Sequence, residues 1–217
     1  MISRREPGLR SDSDMKPQFK EILADSITMH GEAVRQLHAN DENLEAIAVA
    51  MVAALKNDGK ILFCGNGGSA ADSQPLAAEL VGRFRRERAG LPAIALTTDT
   101  SILTAVGNDY GYDQVFSRQV EALARQGDML FGISTSGNSA NVIFALEKAR
   151  SLRVTTVAFT GAGGGKMAKV ADHLLAIDAR ETARVQEVHI LAGHVLCDWV
   201  DTELSQFSEP GNAEGHS

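Results

Sequence analysis

Ile61-Leu-Phe-Cys64-Gly-Asn-Gly-Gly-Ser-Ala-Ala-Asp72 decides the fold when it is read beside Met129-Leu-Phe-Gly-Ile-Ser134-Thr-Ser-Gly-Asn-Ser139. In each, a short apolar run leads into glycines and hydroxyls, and a stretch with helical periodicity follows. Both therefore read as strand-to-helix turns aimed at a helix N-terminus. Free backbone N–H groups and the helix dipole make such a turn an anion site. Ser and Thr hydroxyls add donors that can wrap a phosphate. Two such turns in one sheet point to a small phosphorylated ligand.

Outward from these turns the pattern alternates. Helices are expected near 17–38 and 41–57, the second with an acidic start at Asp41. Strands are expected at 60–64, 93–97, 128–133, 154–160 and 173–178. Helical stretches lie between them, within 70–87 and at 101–106, 113–125, 139–151 and 165–171, and a long helix covers 181–205. This order predicts an α/β fold, a parallel sheet of about five strands with helices on both faces. Ligands in such sheets sit at the carboxyl ends of the strands, where both turns fall. Residues 1–15 and 206–217 carry no period and are expected to be disordered ends around one domain, 16–205.

Composition narrows the function classes. The 217 residues are 44% hydrophobic and 23% charged, with a net charge of −7. Such a chain buries a sizeable core, and its acidity disfavours a nonspecific nucleic-acid role. No run approaches the roughly 18 apolar residues of a membrane span, and the polar N-terminus lacks the core of a signal peptide. A cytoplasmic location is expected. Two cysteines, Cys64 and Cys197, read as buried thiols. A dinucleotide site is poorly matched, because Gly65, Gly67 and Ala70 only approach G-x-G-x-x-G. A phosphate-loop NTPase is excluded, because no Gly-Lys-Ser/Thr occurs.

Three long segments carry a family resemblance. They are Cys64 to Asp72, Leu96-Thr-Thr-Asp-Thr-Ser-Ile-Leu-Thr-Ala-Val-Gly-Asn-Asp-Tyr-Gly-Tyr112, and Gly132 to Val142. With Val185-Gln-Glu-Val-His-Ile-Leu-Ala-Gly-His194, they resemble the sugar isomerase (SIS) domain family, and within it the phosphoheptose isomerases. The resemblance spans about 17–205. It implies a flavodoxin-like sheet with N-terminal helices packing in a homotetramer, and sites at subunit interfaces. It also implies an aldose–ketose isomerisation of a phosphorylated seven-carbon sugar, sedoheptulose 7-phosphate, for bacterial surface heptose such as that of lipopolysaccharide. Phosphate contacts then fall on Ser69, Ser134, Thr135, Ser136 and Ser139, beside Gly67. Sugar contacts fall on Asn66, Arg83, Asp109 and Gln186, and the acid/base pair on Glu79 and His194. Zinc ligands match positions 75, 79, 186 and 194.

The chemistry asks for such groups in its own right. Moving a carbonyl between two carbons needs a proton taken from one and returned to the other. A carboxylate and an imidazole can do this near neutral pH. On the residues alone, Glu79 reads equally well as a solvated helix glutamate, and His194 as a satisfied core histidine. His189, five residues earlier on the helix, faces another way and reads as structural. Gln186 and His194 lie eight residues apart, roughly 12 Å along a helix. Either Gln186 precedes the helix or the two meet from different subunits.

One position departs from the family pattern. Where a histidine ligand is usual, this chain has Pro75. One metal ligand is gone, so zinc is expected at low occupancy on Glu79, Gln186 and His194. Proline also lacks the backbone N–H that a helix interior uses. The helix is therefore expected to start late, with Asp72 as its N-cap, or to kink. A second class of function stays open: a non-catalytic phosphosugar-binding module. Cys197-Asp198-Trp199-Val200-Asp201 resembles the ending of a relative that associates with the DnaA replication initiator.

Overall fold

The computed structural model describes residues 12–205, with side chains from Gln18 onward. The expected irregular ends, 1–15 and 206–217, lie outside this range except for 12–15, which form the first turn of α1. Strands β1 (Ile61–Gly65), β2 (Ala93–Ala95), β3 (Met129–Ser134), β4 (Thr155–Gly161) and β5 (His173–Ile177) form one sheet in the order β2-β1-β3-β4-β5. Every neighbouring pair is parallel. The inner strands β1 and β3 are buried on both faces, which is why they read as unbroken apolar runs rather than alternating ones.

Among the described residues, seven α-helices surround the sheet: α1 (Asp12–Arg35), α2 (Asp41–Lys56), α3 (Gly68–Val81), α4 (Thr100–Tyr110), α5 (Ser117–Leu123), α6 (Ala140–Ser151) and α7 (Thr182–Ser205). One core packs Ile47, Met51, Leu76, Leu80, Val188 and Leu196 of α2, α3 and α7 against Phe63, Phe131 and Phe159. On the opposite face Val120, Val142 and Leu146 of α5 and α6 pack on Leu62, Leu130 and Ala158. The stretch 165–171, expected as a short helix, instead holds a 3₁₀ turn at Met167–Lys169. Three glycines at 163–165 take positive φ just before it, which denies a helix its start.

This strand order has its switch point between β1 and β3. The chain leaves β1 for α3 on one face and β3 for α6 on the other. A crevice opens between two neighbouring carboxyl ends, the place where such sheets hold ligands. Both glycine-and-hydroxyl turns empty into it.

Candidate functional site

The first turn is Asn66 to Ser69. Gly67, with φ of 55°, caps α3, and its carbonyl accepts from the amides of Ala70 and Ala71. The helix therefore begins at Gly68, directly after the turn, and not at the expected Asp72 cap. Pro75 lies inside it. The cost of the lost amide is borne by packing: Leu76 and Leu80, which follow Pro75 one turn apart, are both buried in the core. Ser73, whose hydroxyl donates to the Ser69 carbonyl at 2.9 Å, is buried in the same segment.

Asn66 and Asn141 exchange two amide hydrogen bonds of 2.9 and 2.8 Å, joining the first turn to α6. The Tyr112 hydroxyl donates to Asn66 Oδ1 at 3.3 Å. Asn141 is buried, so the sugar-contact candidate Asn66 is held from behind. Both partners lie inside segments that carry the family resemblance but outside the two ligand turns, and sequence reasoning named neither.

The second turn gathers its serines. Ser134 Oγ is 2.8 Å from Ser139 Oγ and 3.3 Å from Ser136 Oγ. Ser139 stands at the N-cap of α6, yet its side chain caps no helix amide. Its hydroxyl is turned toward the other serines, leaving the helix N-terminus open to an anion. Thr135, half-buried, lies in the same turn. Gly137 has φ of 64°, and a Cβ there would stand 2.3 Å from the Gly164 carbonyl. Met167 donates to the Gly137 carbonyl and Lys166 to Asn138 Oδ1. The glycine run 161–165 is thus a bed for the serine turn, not a second ligand loop.

Helix α7 supplies the other wall. Gln186 and His194 both lie within it, which closes the alternative that Gln186 precedes the helix. The His194 ring stacks on Phe84 with centroids 5.5 Å apart. Glu79, half-buried on α3, is near enough to α7 that its charge adds to the burial that pushes Cys197 up to about 12. Gln186 Nε2 donates to Asp72 Oδ1 at 3.4 Å. Burial raises the Asp72 carboxyl, against lowering by this hydrogen bond and by the charge of His194. Two expected sugar contacts stand apart from this group. Arg83 is exposed and pairs with Glu87 at 3.4 Å, and exposed Asp109 accepts from its neighbour Asn108.

The donor set of one chain does not fit zinc. Pro75 has no donor atom, and Gln186 and His194 are two turns apart on one helix. Among the described residues, no three His, Cys, Asp or Glu side chains stand together as metal ligands would. The initiator-binding resemblance at 197–201 has a structural account. Asp201 is buried against Arg88, Asp198 accepts from Arg85 and Arg86, and Cys197 is a buried free thiol like Cys64. No described helix is long and apolar enough to cross a membrane.

Comparison with known proteins adds to this geometry. Residues 25–161 match the SIS domain family model. The chain is 59% identical over 208 residues to the phosphoheptose isomerase of Aquifex aeolicus, covering 96% of this chain and 100% of that one. It is 56% identical over 188 residues to that of Aliarcobacter butzleri, covering 86% of this chain and 97% of that one. The solved structure of phosphoheptose isomerase from Neisseria gonorrhoeae superposes with a TM-score of 0.78 at 49% identity, over 87% of this chain and 99% of that one.

Proposed function

We propose, from the premise that this chain belongs to the phosphoheptose isomerase family of SIS-domain proteins, that it is an isomerase converting sedoheptulose 7-phosphate to D-glycero-D-manno-heptose 7-phosphate in heptose biosynthesis. The observation that carries this reading is the Ser134–Ser136–Ser139 hydroxyl cluster at the sheet's switch point, facing a turn that holds Ser69. Three convergent hydroxyls and an uncapped helix N-terminus are built for a dianion.

With the phosphate held there, the sugar chain runs toward the wall formed by α3 and α7. The reaction removes a proton from C1 and delivers one to C2, while the C1 hydroxyl gives up its proton as it becomes the carbonyl and the C2 oxygen takes one up as it becomes a hydroxyl. Glu79 and His194 share these transfers through an enediol(ate). Asn66 and Gln186 hold sugar hydroxyls, and Arg83 and Asp109 join them from a neighbouring subunit. A homotetramer, a cytoplasmic location and use of the product for lipopolysaccharide complete the reading. The exposed apolar side chains of α1, Phe19, Ile22, Leu23 and Ile27, support the assembly. Zinc, which Glu79, Gln186 and His194 from more than one subunit would hold only weakly beside Pro75, carries no step here, and the proton transfers rest on the side chains.

The test is turnover. Purified protein is incubated with sedoheptulose 7-phosphate, and the aldose is followed by chromatography. Formation of the aldose is expected, with a loss of at least about a hundredfold in kcat for Glu79→Gln and for His194→Gln. Binding of the sugar phosphate without turnover would overturn the enzyme in favour of a binding module.

A further inference from the structure

The carboxylate of Asp72 has no place in the reading above, and its surroundings ask for one. It lies in the second turn of α3, 7% exposed. One oxygen, Oδ1, accepts from Gln186 Nε2 at 3.4 Å. The other, Oδ2, is buried and has no hydrogen-bond partner among the described residues. An unpartnered buried carboxylate oxygen is costly and is not retained for packing.

Its one partner explains it. The Gln186 amide lies flat across the first turn of α3. A Cβ built on Gly68 would stand 2.3 Å from Gln186 Oε1 and 2.5 Å from Nε2. The amide therefore sits against the phosphate turn, in the space that a side chain at residue 68 would occupy. An amide has two unlike ends, and left alone it can present either one to a ligand. An ionised carboxylate can only accept. It takes the NH₂ end and leaves the carbonyl end free.

We propose that Asp72 is a positioning residue that fixes the Gln186 amide with its carbonyl toward the sugar, so that this wall accepts from a substrate hydroxyl. The proposal rests on the functional reading above, which makes Gln186 a sugar contact. The 3.4 Å separation is long for a hydrogen bond and shortens when the ligand draws Gln186 inward.

The test is a kinetic cycle on the full-length protein with sedoheptulose 7-phosphate, comparing Asp72→Ala, Asp72→Asn, Gln186→Ala and the Asp72→Ala/Gln186→Ala pair. Thermal midpoints are recorded alongside. Asp72→Ala is expected to raise KM roughly tenfold and to change kcat by less than about threefold. Asp72→Asn keeps an accepting oxygen for Nε2 and should recover KM to within about threefold of the unmodified protein. Gln186→Ala should add nothing further in the Asp72→Ala background. A merely structural role would reduce the amount of active protein, and so kcat, without this split or this rescue. Multiplying losses in the pair, or an unchanged KM in Asp72→Ala, would overturn the role of Asp72 alone. No turnover by the unmodified protein would overturn the functional reading, and the sugar-facing role with it.

Discussion

Arg88 Nε lies 2.6 Å from Asp201 Oδ1, with both side chains buried. The pair fastens the connection after α3 to the C-terminal half of α7. Asp201 Oδ2 accepts from the backbone amides of Arg85 and Arg86, and the Arg88 guanidinium donates to the carbonyls of Glu79, Leu80, Gly82 and Ala89. Burial works against the Asp201 charge, but the two amides and Arg88 hold its carboxyl below the ordinary value. Removing one partner leaves the other charge buried. Asp201→Asn should cost about 3–5 kcal/mol of unfolding free energy, read as a lower urea midpoint. A midpoint equal to that of the unmodified protein would show that water satisfies Arg88.

The serine turn predicts a binding loss. Charge-assisted hydrogen bonds are worth on the order of 1.5–3 kcal/mol each. The double change Ser134→Ala and Ser136→Ala should weaken sedoheptulose 7-phosphate binding at least about tenfold in calorimetry. An unchanged Kd would place the phosphate elsewhere.

Pro75 predicts a metal effect. A histidine at 75 would share a face of α3 with Glu79, one turn on, and would return a backbone N–H to the helix interior. The protein should purify with little zinc. Pro75→His should bring zinc toward one per chain by mass spectrometry and raise turnover. Stoichiometric zinc in the unmodified protein would show that residue 75 is not needed for it.

His189 predicts acid sensitivity. Its Nε2 donates to the Thr160 carbonyl at 3.0 Å while Nδ1 is buried without a partner among the described residues, and burial lowers the imidazole from 6.5 to about 4. Between those values the unfolded chain takes a proton that the folded chain refuses. Stability is therefore full above about pH 6.5 and falls as pH drops toward 4, by at most about 3 kcal/mol. His189→Gln, which keeps a donor for Thr160, should flatten urea midpoints over that range. An equally steep slope in the variant would assign the effect to other groups.

Assembly is checked by mass. Gln186 and His194 on one helix are roughly 12 Å apart along its axis, so one copy of α7 cannot bring both to a single atom. Light scattering at micromolar concentration should give a tetramer. A monomer that turns over substrate would show that one chain completes the site.

The strand runs, their parallel order and the two ligand turns were legible in the chain because each is local. An apolar run, a glycine and a hydroxyl next to it act over a few residues. Ser134, Ser136 and Ser139 could be named for the same reason. The start of α3 could not, because local propensity sets Pro75 against a helix, and only the burial of Leu76 and Leu80 decides for it. Asp72 was equally hidden. Its partner Gln186 is 114 residues away, and nothing short of α3 packing on α7 brings a carboxylate to that amide. The part played by the glycine run 161–165 was not legible either, because only the close approach of Gly137 to Gly164 makes it a support for the serine turn. Periodicity and turn chemistry are written residue by residue. Which buried polar atoms find partners depends on distances that exist only once the helices have closed on the sheet.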